Sequence, residues 1–248
     1  YKPESVESED NSIKTSKDAL EQSQEVFWEE EYEVLYAFDR GIDRLLIKGR
    51  RPFEEYSDRR LTCQIRDYTN TYQPAWLRMY RGQIRSVVVC HGVSVIGARS
   101  FQGCSQLESL FLPESVTMIE RGAFYDCVKL VTFELPDRVI KIQRDAFAGC
   151  KSLVALVIPE SVTVIERGAF WRCSGLTSVE FMNCMAIIGR DAFLGCSGLT
   201  SLVIPDNVTL IDFHAFFGCD RLVSVSIPKH LEQCKCQFPR GVEFDVRV

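Results

Sequence analysis

Leu153-Val154-Ala155-Leu156-Val157-Ile158-Pro159-Glu160-Ser161-Val162-Thr163-Val164-Ile165-Glu166-Arg167-Gly168-Ala169-Phe170-Trp171-Arg172-Cys173 decides the fold, because its framework recurs along the chain. Its phenylalanine is one of six, Phe101, Phe124, Phe147, Phe170, Phe193 and Phe216, each 23 residues from the next. Cysteines keep the same step three places later, at Cys104, Cys127, Cys150, Cys173, Cys196 and Cys219. A fixed short period marks stacked units, none of which can bury its apolar face alone. The chain therefore reads as a solenoid. Solenoids present long surfaces, which moves the functional expectation from catalysis towards binding.

Within one repeat, Leu110 and Leu112 alternate with polar or variable positions, the period-2 signal of a strand with one buried face. Pro113, Pro136, Pro159, Pro205 and Pro228 follow these strands and end them, since proline cannot donate to the ladder. Val116 and Ile119 suit a second short extended piece, and Arg121-Gly122-Ala123-Phe124 reads as a tight helical or 3-10 return. Seven registers from Ile84 to Leu222 predict a parallel sheet about 30 Å wide, wound as a right-handed coil. The phenylalanines form its spine. Phe216, near the last coil, is expected to be the least enclosed of them. A cofactor site in the rings is a poor alternative, because a core needs the same residue in every coil and a site needs a departure.

The chain has 248 residues, 46% hydrophobic, enough for a large core, and a formal net charge of −5. Residues 1–25 hold seven acids and three lysines, a net −4 that leaves −1 for the rest. Such a body lacks the basic face of a nucleic-acid binder. No run of about 20 apolar residues is present to span a membrane. The repeat explains six of the eleven cysteines as small buried hydrophobes, because stacked equivalents point the same way and sit too far apart for disulfides. Cys234-x-Cys236 with His230 falls short of a zinc spacing. His91, His214 and His230 lie in different columns and form no triad, so no catalytic residue, cofactor or metal is assigned.

The wording of these repeats, with Ile158-Pro159-Glu160-Ser161-Val162 and the Gly-Cys tails at 103–104, 149–150, 195–196 and 218–219, resembles the BspA-like, Treponema-type leucine-rich repeats. Asp43 to Gly49, Phe53-Glu54-Glu55-Tyr56, Gln73-Pro74-Ala75-Trp76 and Ile84 to Val89 resemble the entry segment of the same domains. The likeness covers about residues 34–231 and implies a leucine-rich-repeat solenoid without catalytic residues. It further implies a protein-binding or adhesion role at the cell surface or after secretion. An intracellular scaffold within a larger assembly is the alternative, which free thiols fit equally well.

Four regions follow. Residues 1–25 form an acidic tail, disordered or loosely helical, and 26–83 an N-terminal β-rich cap. Residues 84–231 carry six to seven coils, and 232–248 a closing strand marked by Phe244, Val246 and Val248. In the cap, Tyr32 to Phe38 and Arg44 to Ile47 read as two strands joined by a turn. Cys234 stands where isoleucine is expected, and no Ala-Phe turn follows it. Two surfaces are candidates for a protein partner. Phe111, Val131, Val154, Val157 and Val203 lie between buried strand positions and face outwards. Tyr125, Trp171 and Phe217 each follow a spine phenylalanine on the return turn. Apolar patches and aromatic anchors are what interfaces use.

Overall fold

The computed structural model describes residues 29–31, 34–39, 42–49, 63–65, 74–182 and 185–248. The acidic stretch 1–25, the Phe53–Tyr56 piece and Cys184 lie outside them, as does the side chain of Cys63. Strands β1 (Glu29–Glu31), β2 (Val34–Asp39) and β3 (Arg44–Gly49) run antiparallel, so the two strands expected here are present, while Tyr32, Arg40 and Gly41 lie outside the described residues. β3 then pairs in parallel with β5 (Ser86–Val89), after β4 (Cys63–Ile65) and the short helix α1 (Ala75–Tyr80). The entry segment is thus already wound in the direction of the coils.

From β5 onward coils one to six each contribute one strand to each of two parallel layers, and coil seven contributes a main-layer strand followed by the 3-10 helix Lys229–Gln237. The main layer holds β5, β7 (Ser109–Phe111), β9 (Thr132–Phe133), β11 (Ala155–Ile158), β13 (Ser178–Phe181), β15 (Ser201–Val203) and β17 (Ser224–Pro228). These are the seven predicted registers, but they do not form the one continuous sheet expected. Ladders join β5, β7 and β9, then β11 and β13, then β15 and β17, and the layer breaks after the two-residue β9 and after β13. Paired residues such as Leu110 and Phe133, or Leu156 and Val179, differ by 23. β18 (Glu243–Arg247) adds a further parallel strand beyond β17. The second layer holds β4, β6 (Val93–Ile96), β8 (Met118–Ile119), β10 (Lys141–Ile142), β12 (Val164–Ile165), β14 (Ile187–Ile188) and β16 (Leu210–Ile211).

The return segments are not helices. Ala123, Tyr125 and Cys127 donate to carbonyls three residues back, as a 3-10 pitch requires. The intervening Gly122, Phe124 and Asp126 donate instead to Arg144, Ala146 and Ala148 of the next coil. Alternate amides therefore close turns and build an inter-coil ladder, which a helix cannot do. The geometry needs two left-handed residues per coil, for example Gly122 (φ 60) and Asp126 (φ 56). A Cβ on Gly149 would collide with the Asp126 carboxylate of the preceding coil, so a glycine there makes room for an aspartate.

The spine is a continuous stack. Consecutive rings from Phe101 to Phe216 lie 5.0–5.5 Å apart with planes within 9°, and none is exposed. Both ends extend beyond the repeat. Trp76 of α1 stacks on Phe101 at 6.1 Å, donates its Nε1–H to Ser100 O at 2.9 Å, and receives Tyr36 edge-on. Phe238, just after the 3-10 helix Lys229–Gln237, stacks on Phe216 at 4.8 Å and is itself met edge-on by Phe244. The expectation that Phe216 would be the least enclosed ring is therefore wrong. The missing Ala-Phe turn is replaced by a ring delivered from a different backbone.

The six repeat thiols are free and buried, as predicted. Each from Cys127 to Cys219 donates its S–H to the phenylalanine carbonyl 26 residues earlier, at 3.2–3.4 Å. Cysteine fits this column because it is small, apolar and still able to donate. Burial pushes Cys104 and Cys219 up to about 12, and Cys127, Cys150 and Cys196 well above the usual thiol range. They are inert core groups.

Candidate partner-binding site

Strand alternation builds the main candidate. In each coil the leucine-type positions point into the core, so the residues between them must point out. Val131, Val154, Phe111, Val157 and Val203 are accordingly 43–59% exposed. Full burial of such a side chain is worth roughly 1.5–3 kcal/mol, so covering the exposed half of each would return about half of that to a partner. Val154 and Val157 share coil four, flanked by Val131 in coil three and Phe111 in coil two. Val203 stands apart, since Thr177 and Glu180 of coil five intervene. Val223, exposed in coil seven, lies on the Val131–Val154 column and extends the apolar surface.

The parallel register places side chains of one column directly beside each other. Val88 partners Phe111, Val157 partners Glu180, and Val203 partners Ser226. The column through the middle of the face therefore reads Phe111, Glu134, Val157, Glu180, Val203, with apolar and acidic groups taking turns. Next to it runs a column of small side chains, Ser109, Thr132, Ala155, Ser178, Ser201 and Ser224, which leaves the flanking aliphatics standing proud. At the entry end Arg85 bridges Asp43 (3.2 Å) and Glu108 (3.0 Å), so this arginine is already neutralised.

The second candidate does not form a single patch. Tyr125, Trp171 and Phe217 belong to coils two, four and six, and the intervening Ala148 is buried. Tyr125 and Trp171 are half-buried in the return, and the Arg172 guanidinium covers the Trp171 ring at 4.5 Å. Burial, then the Asp126 and Asp145 carboxylates, push the Tyr125 phenol above its ordinary range. Phe217 alone is well exposed, and it has neighbours that sequence reading did not single out. Phe213 stacks on His214 at 3.8 Å, and Phe217 lies 5.1 Å from the same imidazole. The available signal was a break in the columns: Phe213 stands where coils two to five carry arginine.

The return charges largely neutralise one another. Arg144 pairs with Asp145 at 3.1 Å, and the Asp191 carboxylate takes Arg167, Arg190 and His214 within 3.8 Å. Glu166 does not pair with its neighbour Arg167 among the described residues. It takes Lys141 and accepts the Arg144 backbone N–H instead. His230 is held by the Val208 carbonyl at 2.8 Å, away from any cysteine-histidine cage. Among the described residues no three His, Cys, Asp or Glu side chains converge as metal ligands do. Nor, among these residues, is any helix long and apolar enough to cross a membrane.

Comparison with known proteins agrees with this architecture. The model of the BspA type leucine-rich repeat region matches residues 79–200 and 186–237, in six copies. A leucine-rich repeat protein of T. pallidum superimposes with a TM-score of 0.58 at 25% identity, covering 88% of this chain and 99% of that one. A leucine-rich cell surface protein of Faecalibacterium prausnitzii aligns at 17% identity with a TM-score of 0.43, covering 90% of this chain and 96% of that one. The pneumococcal vaccine antigen PcpA aligns at 12% identity with a TM-score of 0.44, covering 90% and 94%. No curated protein matches the sequence.

Proposed function

The chain belongs to the BspA-type leucine-rich repeat family, and from that premise we propose that it is a non-enzymatic module binding a protein partner through the outward face of its main sheet. Modules of this family generally serve protein–protein interaction or adhesion, and we place this one at the cell surface or among secreted proteins. The observation that carries the reading is the set of aliphatic and aromatic side chains exposed on coils two to four, Phe111, Val131, Val154 and Val157. Interface energy usually concentrates in such a desolvated apolar centre, at about 2 kcal/mol or more per hot spot. A second reading, an intracellular scaffold, is favoured by one feature: Cys236 is an exposed free thiol, which a reducing compartment tolerates best.

The test is partner capture from the source organism's surface extract and from its cytosol. Val157→Asp and Phe111→Asp should abolish capture while circular dichroism stays unchanged, with Trp171→Ala and Phe217→Ala as the comparison pair. Loss confined to the second pair would move the site to the return face. Capture only from cytosol would favour the scaffold reading.

A further inference from the structure

We propose, resting on the sheet-face reading above, that the partner presents a cationic, aliphatic-bearing extended segment that lies along the coil axis over the Phe111–Val203 column. The face and its border carry unbalanced negative charge. Glu134 and Glu180 flank Val157, both exposed and with no ion-pair partner among the described residues. Glu114, Asp137 and Glu160 recur exposed at the corner where each strand ends at its proline, so the acids continue beside the same column. Basic groups on this side are few: Arg138 shares the corner with Asp137, and Arg247 is already bound to Asp206 at 3.1 Å. Lysines gather at the opposite, entry ends of the strands, at Lys129 and Lys151. The face is thus polarised across its strands, and an acidic partner would meet repulsion where the apolar anchors are. Complementary charge favours a basic one and fixes its register.

The spacing points to a particular conformation. Successive spine rings lie 5.0–5.5 Å apart, so Phe111, Val157 and Val203, each two coils from the next, are spaced by about 10 Å, with a glutamate of the intervening coil in each gap. A polyproline-type helix advances about 9.3 Å per three residues. One aliphatic and one basic residue per triplet would therefore keep step with this column across coils two to six.

The probe is a fluorescein-labelled peptide of Val-Pro-Arg triplets, measured by anisotropy with the full chain. Ser-Pro-Arg and Val-Pro-Glu peptides serve as controls. The Val-Pro-Arg peptide should bind, at least about tenfold more tightly than either control, and weaken in roughly 0.5 M salt. The double substitution Glu134→Lys and Glu180→Lys should weaken it by about tenfold or more and reverse the preference towards Val-Pro-Glu. Val157→Ser should weaken Val-Pro-Arg without changing Ser-Pro-Arg. Equal binding of Ser-Pro-Arg would reduce the effect to charge adsorption and overturn the inference. So would no binding, or affinity indifferent to the double substitution. In each of those cases the sheet-face reading stands or falls separately, on whether Val157→Asp abolishes capture of the natural partner.

Discussion

The phenylalanine spine and the outward column of the main sheet run side by side through the same coils, yet they obey opposite rules. Phe101, Phe124, Phe147, Phe170, Phe193 and Phe216 are identical and unexposed, because each ring packs on its own equivalents and any other size would leave a gap or a clash. Phe111, Glu134, Val157, Glu180 and Val203 change at every step, because they face outwards and stay exposed among the described residues. Repetition belongs to groups whose partner is the next coil. Variation belongs to groups whose partner is elsewhere.

The largest effect that sharpens this contrast is alkaline. The buried thiols of Cys104, Cys127, Cys150, Cys196 and Cys219 are held above the ordinary value of 9.0 by desolvation. Below pH about 8.5 both folded and unfolded chains keep these protons, so the stability they contribute is complete. Above it the unfolded chain releases protons that the folded chain retains, and stability falls as pH rises towards the raised folded values, about 12 for Cys104 and Cys219. The slope is about 1.4 kcal/mol per pH unit for each proton. Urea melts between pH 8 and 11 should therefore steepen in their decline, and Cys150→Ala should reduce the slope by one proton. A slope unaffected by that substitution would detach the thiols from the core.

Next in size is the spine itself. Phe147→Ala should cost roughly 3–5 kcal/mol by cavity formation, and Phe216→Ala should cost as much. Their equality is the point of the experiment: Phe238 covers Phe216 as closely as the flanking repeat rings cover Phe147. A markedly smaller loss at Phe216 would show that the terminal stack frays. The smallest effect belongs to the outward column, where Val157→Ser and Phe111→Ser should move the urea midpoint by no more than about 0.5 kcal/mol in stability. A loss comparable to Phe147→Ala would mean that this column supports the fold and would end its claim as a recognition surface.

What the sequence by itself determined is everything that follows from a period. The step of 23 sets the solenoid, the in-register parallel strands, the buried phenylalanine and cysteine columns and the outward set that contains Phe111 and Val157. Side-chain direction alternates along a strand whatever the neighbours are, so these placements are local and legible. Tertiary structure decided what breaks the period. Trp76 and Phe238 lie 25 and 22 residues from the rings they cover, on a helix and after a 3-10 turn, and no column predicts them. The same holds for Phe213 and His214, whose rings meet each other and Phe217 where the column of arginines ends. In each case the outcome depends on which group arrives across the coils to fill a volume or accept a proton. That information resides in the packed three-dimensional arrangement, because residues without a repeating partner carry no spacing to read.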